Sequence, residues 1–435
     1  VENLFFNTPA RLKFMKASSA EQRAIISTIE KIVFANPLIS ITVSDTKGIV
    51  FEHQGGELKY AICSIWGSDT FENMLPIEYE KAGIKVNPEL WNYYSGLTSA
   101  PKIESYPENV VSSYGSYDDA AIVLIARGAG EGQDVSRSPN TLTLTQAEKD
   151  MLTVVKDKFD KVIVLLNTTN AMELGDLAGD EYGVDSVLWI GPVGQYGMYG
   201  VADLLVGNIN PSGRLIDTYS SSSFSAPATT VYGVNGLYQF TNFSGTNFTA
   251  YLEGIYVGYR YYETRYEDCV LGQGNASSSK GSFNSSDGWN YSEEVTYPFG
   301  YGLSYTTFTQ TLDKVTLSGG VFTAEITVKN TGSVAGKTVV QVYGQQPYTQ
   351  YDIENGIEKS AVELVGFTKT EIIPAGESRK VTVEINKKYF ASYDSKVEKT
   401  YILEPGDYYM AIGDNAHDAL NNILAKKGHS TANSE

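Results

Sequence analysis

The hydrophobic positions of this chain change period twice along its length, and the changes mark its parts. Near the start, Ile25, Ile29, Ile32 and Val33 recur at helical spacing. Ser18 and Glu21 stand ahead of them, spaced as a capping box. Pro37 ends that helix, and Ile39, Ile41 and Val43 then alternate as a half-buried strand. Upstream, Asn7 and Thr8 followed by Pro9 read as a turn that opens an earlier helix. The pattern predicts a short α/β segment over residues 1–78.

From residue 79 the alternation gives way to three continuous apolar runs, AAIVLIA (120–126), KVIVLLN (161–167) and VDSVLWI (184–190). Runs of this kind suit strands buried on both faces, as in a parallel sheet covered by helices. Between the first two, Thr145 and Glu148 form a second capping box, and Met151, Leu152, Val155 and Phe159 make the apolar stripe of a helix. Repeated strand–loop–helix units predict a doubly wound α/β sandwich domain over 79–300. Its residues 218–300, rich in Ser, Gly, Asn and Tyr, read as a long loop insertion. Beyond 301 the period becomes two. Phe322, Ala324, Ile326 and Val328 alternate, as do Val339, Gln341 and Tyr343, and again Val381, Val383 and Ile385. Turns such as Asn330–Gly332 separate these runs, which predicts an immunoglobulin-like or fibronectin-type β-sandwich over 301–415, followed by a tail at 416–435. The expected fold class is therefore α/β plus all-β.

Charge narrows the function. The chain has 33 basic and 51 acidic residues, a net charge of −18, the wrong sign for a nucleic-acid surface. Residues 1–50 depart from this balance with 6 basic and 4 acidic residues, so the first segment differs in kind. Two cysteines exclude a disulfide scaffold and a Cys-based zinc site, and three scattered histidines form no HExxH motif. No metal or cofactor is expected. No apolar run approaches the roughly 20 residues of a membrane span, and no charged-then-apolar leader opens the chain, which favours a cytoplasmic address. Tyrosine is abundant, at 31 residues, suiting both sugar-binding clefts and β-sandwich strands.

In an open parallel sheet, ligands bind beyond the carboxyl ends of the strands. The first of the loops there, RGAGEGQDVSR (127–137), sets Glu131 between Gly130 and Gly132. The glycines permit a tight turn that leaves a carboxyl free to project into a cleft, where burial or substrate would equip it as a general acid. Glu131 is the candidate catalytic residue, with a solvated loop acid as the alternative reading of its position. Arg127 and Asp134, which flank it, are candidates to hold substrate or to pair with each other. The string GAGEGQ falls short of a dinucleotide fingerprint at Gln133. A Ser-His-Asp triad would have to recruit His53 or His417 from peripheral segments. The tyrosines Tyr256, Tyr259, Tyr261 and Tyr262 suit stacking on sugar or packing between domains.

Two resemblances follow from these strings. LFFNTPARLKFMK (4–16) and GGELKYAICSIWGSDTFENMLPI (55–77) resemble the MutL-type mismatch-repair ATPases. The upstream motifs that hold ATP and magnesium in that family do not precede them here, so no ATPase activity is expected. From about residue 79 the chain resembles glycoside hydrolase family 3, the β-glucosidase family. YEKAGIKVNPELWNYY (79–94), GEGQD (130–134), KVIVLLNTTNAMEL (161–174), LLVGNINPSGRL (204–215), EGIYVGYRYYE (253–263) and YPFGYGLSYTTF (297–308) carry the likeness. The two parents meet near Ile77–Tyr79, as a gene fusion, a rearranged reading frame or an assembly artefact would place them.

The second resemblance implies that Glu131 is an acid/base acting on a β-linked glucoside or oligosaccharide. In that family the nucleophilic Asp lies on a separate (β/α)8 barrel, for which this sequence has no room. The ending, 401–428, is similar to circularly permuted members in which the barrel follows. The expected function is thus part of a β-glucosidase-like hydrolase, incomplete and inactive alone. The alternatives are a non-catalytic carbohydrate-binding or structural module and, less in keeping with the charge, a mismatch-repair fragment. Loss of the family's first strand before Tyr79 also predicts an exposed sheet edge at the start of the α/β domain.

Overall fold

The computed structural model describes residues 18–45, 47–56, 60–61, 64–65, 83–95, 106–128, 139–194, 196–227, 253–272 and 289–431. The chain divides into two compact units, Val1–Glu78 and Tyr79–Glu435. Among the described residues no helix is long and apolar enough to cross a membrane.

In the first unit, α1 (Ser18–Ala35) packs on an antiparallel hairpin of β1 (Ile41–Asp45) and β2 (Gly48–His53). Asp45 Oδ1 closes the hairpin turn by accepting from the amides of Lys47 and Gly48. The small core holds Val33, Phe51 and Ala61, with Ile26, Ile29, Ile41 and Val43 against it. The helix thus faces inward along Ile26, Ile29 and Val33, leaving the expected Ile25 and Ile32 exposed. One position of rotation separates the two stripes, because the hairpin covers a narrower arc of the helix than the apolar residues span. His53 is a satisfied core histidine, with Nε2 2.7 Å from the Pro37 carbonyl and Nδ1 3.0 Å from Ser64 Oγ. The side chains of Ser18 and Glu21, and the Leu4–Arg11 motif, lie outside the described residues.

The second unit begins with α2 (Pro88–Ser95) and α3 (Glu108–Ser113), followed by β3 (Ala121–Arg127), α4 (Gln146–Lys158), β4 (Val162–Thr168), β5 (Ser186–Trp189) and α5 (Gly197–Leu205). The three strands are parallel in the order β3-β4-β5. Thr145 and Glu148 close both bonds of the expected capping box at the start of α4. Leu152 of that helix, fully buried, meets Val123, Ile125, Val164 and Leu166 of the sheet. The central strand β4 is buried almost throughout, as its unbroken apolar run requires. β3 is not: Val123 and Ile125 point into the core, while Ile122 is 45% and Leu124 54% exposed. An apolar run buried on both faces was expected there. Instead β3 stands at the sheet edge, and no strand pairs with its outer side among the described residues.

The region read as loop insertion contributes β6 (Tyr219–Ser220), α6 (Tyr259–Leu271) and β7 (Val295–Tyr297). The β-sandwich follows. One sheet is β12 (Ser378–Asn386), β9 (Val321–Asn330) and β8 (Phe308–Ser318), and the other is β11 (Glu363–Lys369), β10 (Val339–Gln345) and β15 (Tyr409–Gly413). A helical turn and a half, α7 (Gln350–Asn355), and a small ribbon of β13 (Ser392–Asp394) and β14 (Thr400–Ile402) fill the connections. Ala324, Ile326 and Val328, with Val383 and Ile385 beside them in the same sheet, meet Val340 and Val342 across the sandwich. The alternation of β9 and β12 behaves as expected, but β10 is buried on both faces. Its outward residues Gln341 and Tyr343 are covered by a second core in which α6 meets α8 (Ala416–Lys426). The segment read as a tail is, over Ala416–Lys426, this helix, capped by Asn415 and packed through Ala419, Leu420, Ile423 and Leu424.

The α/β and sandwich parts are joined through the Phe299–Gly302 turn. Gly300 donates to the Leu215 carbonyl at 2.9 Å and accepts from Gln341 Nε2 at 3.0 Å. Its φ is +85°, and a Cβ there would lie 2.1 Å from Gln341 Oε1, so only glycine fits.

The sheet edge yields a contrast between neighbours on one strand. Ile125→Ala should cost about 2–5 kcal/mol, whereas Leu124→Ser should stay within about 0.5 kcal/mol. Urea unfolding midpoints of the two variants measure the difference; equal losses would mean that the outer face of β3 is covered.

Candidate functional site

The carboxyl ends of the sheet bring together Arg127, Thr168 and the Trp189 side, since Arg127 pairs in register with Thr168 and Leu166 with Trp189. Trp189 Nε1 donates to the Thr168 carbonyl at 3.0 Å, tying the last residues of β4 and β5 together. The chain leaves β3 through Gly128 into residues 129–138. Glu131 and Asp134 belong to that stretch and lie outside the described residues.

Arg127 is described, and its guanidinium is already committed. Nη1 and Nη2 donate to the two oxygens of Glu148, each at 2.7 Å, in a bidentate pair. Nη1 also reaches the Ala126 carbonyl and Nη2 the Thr143 carbonyl, at 2.9 and 3.0 Å. The side chains of Arg127 and Glu148 are only 9% and 15% exposed. Both terminal nitrogens of Arg127 are thus engaged with Glu148, and whether Asp134 joins them lies outside the described residues. Arg127 bolts the end of β3 to the first turn of α4. Burial alone would raise the Glu148 pKa, but the Arg127 hydrogen bonds, the Thr145 amide and the arginine charge together hold it below the usual carboxylate value.

Sequence reasoning saw Glu148 as a cap and Arg127 as a loop residue, 21 positions apart, with no signal linking them. Only the strand-to-helix geometry, which brings the end of β3 beside the start of α4, makes them partners. The neighbouring loop is held by Glu173, whose amide donates to the Leu142 carbonyl at 2.8 Å and whose Oε1 accepts from the Ser223 amide at 2.7 Å. Met172 and Leu174 on either side are buried. The strand ends are thus tied to one another, to α4 and to the segment around Ser223.

Other expected constellations resolve as packing. Tyr256, Tyr261 and Tyr262 are at most 4% exposed, within the core between α6 and the sandwich, and Tyr259 stacks on Phe299. His417 Nδ1 lies 2.9 Å from Glu263 Oε2, and its ring stacks on Tyr291 at 3.7 Å. Among the described residues no group of three or more His, Cys, Asp or Glu side chains is placed to hold a metal ion.

Loss of the Arg127–Glu148 pair should be felt as stability. Arg127→Ala, which strands a mostly buried carboxylate, should cost about 3 kcal/mol. Because the folded pKa of Glu148 is lowered, the pair's contribution is present above the unfolded value near pH 4.3 and fades as pH falls through the folded one. Acid-unfolding curves should therefore differ between wild type and Arg127→Ala at neutral pH and converge at low pH; parallel curves would remove Glu148 from the account.

Sequence and structure comparisons agree on what this architecture resembles. The family described as Glycosyl hydrolase family 3 C-terminal domain matches residues 24–259, and the Fibronectin type III-like domain matches 338–416. The first match begins inside the first unit, ahead of Tyr79, and so takes in α1, β1 and β2. A Beta-glucosidase of Ruminococcus albus is 32% identical over 317 residues, covering 72% of this chain and 29% of its own length. Beta-glucosidase A of Butyrivibrio fibrisolvens is 31% identical over 363 residues, 74% of this chain and 39% of its own. Among solved structures, a beta-glucosidase from Paenibacillus barengoltzii superposes with a TM-score of 0.59 at 30% identity, over 72% of this chain and 30% of that one. Beta-glucosidase 3B from Thermotoga neapolitana, in complex with glycerol, gives 0.59 at 28%, over 82% and 45%. The chain thus spans less than half the length of each.

Proposed function

Because the chain belongs to glycoside hydrolase family 3, we propose that it is the acid/base-bearing part of a β-glucosidase-like enzyme acting on a β-linked glucoside or oligosaccharide. The observation that carries this reading is the extent of the family match, which spans the parallel sheet and the GEG loop rising from its first strand. Glu131 takes the role of proton donor to the leaving glycosidic oxygen, then of base toward the incoming water. In this reading Asp134, three residues further along the sequence, meets a sugar hydroxyl. Arg127 enters as a positioning residue, since its guanidinium fixes where the loop begins rather than facing substrate.

A retaining hydrolase needs a second carboxylate about 5–5.5 Å from the first. In this proposal it comes from a (β/α)8 barrel in a longer gene product. Among the described residues the strands form open sheets and small ribbons, and none closes into a barrel.

Hydrolysis of an aryl β-glucoside tests the assignment. A longer product that contains the barrel should lose about 10²–10⁴ of its rate on Glu131→Gln, while the 435-residue chain by itself should show no turnover. Turnover by this chain alone, abolished in Glu131→Gln, would mean that its nucleophile lies within these residues. A longer product indifferent to Glu131→Gln would overturn the role of Glu131.

A further inference from the structure

Where α6, the end of β10, the start of β15 and the end of α8 come together, the second unit carries a cleft of about 270 Å³. It lies below the usual 300–1,000 Å³ of a small-molecule site, yet holds the space of roughly nine waters. Its lining is chemically mixed. Charged side chains enter in equal numbers, Glu267 and Asp407 against Lys359 and Lys427. Most of this charge is answered within the protein. Lys427 Nζ lies 3.2 Å from Glu267 Oε1 and 5.3 Å from the Tyr409 ring centre. Lys359 Nζ donates to Asp352, to Glu404 and to the Pro347 carbonyl. With two carboxylates on Lys359, one on Lys427 and Asp407 exposed beside them, the surroundings lean acidic and disfavour an anion.

What it offers is hydrogen-bonding capacity in a small space. Gln345, 4% exposed, gives its Nε2 to Glu267 Oε1 at 2.8 Å and to the Ala361 carbonyl. Its buried Oε1 has no hydrogen-bond partner, so it is an acceptor without a donor. Asp407 stands exposed at the rim as a second acceptor, with Ser360 and Gln346 as mixed donors and acceptors. Leu271, Pro347 and the rings of Tyr348 and Tyr409 supply the apolar surface. Acceptors in want of donors, both lysines already met by carboxylates, and aromatic edges within a small space point to an uncharged ligand rich in hydroxyl donors.

We propose that this cleft binds a single neutral sugar ring. The choice of a sugar, rather than another polyol, rests on the reading given under Proposed function. A bound ring would bridge α6 to the fibronectin-type sandwich and to α8, since Glu267, Asp407 and Lys427 belong to separate segments of the chain.

Saturation-transfer NMR of the whole 435-residue chain with millimolar methyl β-D-glucoside is the test. Wild type should show transfer, and Asp407→Ala and Tyr348→Ala, both at exposed positions where folding survives, should each weaken binding about fivefold, the value of one modest contact. Leu317→Ser, at an exposed position of β8 outside the cleft, should bind as wild type does. Transfer that is absent in wild type, or untouched by both cleft variants, overturns the proposal. Transfer lost on Glu131→Gln but untouched by both cleft variants also overturns it, while assigning the sugar to the Glu131 segment and leaving the hydrolase reading intact. Displacement of the glucoside by equimolar inorganic phosphate would overturn it too, by making the cleft an anion site.

Discussion

The second unit depends on burying a helix that, by composition, ought to lie on the surface. α6 carries Glu263, Arg265, Glu267 and Asp268 at 7% exposure or less, and moving a carboxylate out of water costs several kcal/mol unless it is answered. Most of the answers come from other parts of the chain. Glu263 accepts from Tyr291 and pairs with His417. Glu267 is met by Gln345 and Lys427. Arg265 donates to the Tyr261 hydroxyl and lies 5.2 Å from the Trp289 ring. Thr264 Oγ1 accepts from the Ala361 amide. These pairings hold the insertion, the outer face of the sandwich and the last helix in one core, and they explain why β10 is buried on both sides.

How legible this was in the sequence depended on how each element meets water. Elements with one wet and one dry face wrote a readable pattern: the α4 stripe behind its capping box, the β9 and β12 alternation, the continuous run of β4. Where both faces are dry, or the dry face is polar, the pattern misleads. α6 has no apolar stripe because it has no solvent face, so it read as loop. Val339, Gln341 and Tyr343 alternate as a strand should, yet Val340 and Val342 between them fill the sandwich core, while Tyr343 fills the second core and Gln341 bonds the Gly300 and Asp414 carbonyls beside it. At β3 the error runs the other way, since an apolar composition suited to a covered strand is found at an edge with its outer face open.

The candidate site shows the same division. A carboxyl between two glycines after a buried strand can be recognised from spacing, because the chemistry resides in the local string. The partner of Arg127 cannot, because it depends on parallel strand order and on the helix that follows. A family resemblance supplied the role of Glu131; geometry supplied the role of Arg127. The two kinds of information were not interchangeable, and the geometric one tied Arg127 to Glu148 at the start of α4.

The pairings of α6 also set a timetable. Glu263 and His417 are 154 residues apart, and Glu267 and Lys427 are 160. At a synthesis rate of about 5–20 residues per second, roughly 8 to 32 seconds separate the emergence of the helix from that of these partners. During that interval the helix cannot be buried without stranded charge, so the core around it closes last. The parallel sheet, whose strands and covering helix are adjacent in sequence, is free to form well before. A nascent chain of this protein is therefore a finished sheet beside an unfinished junction, and the junction is the stage at which a chaperone would find something to hold.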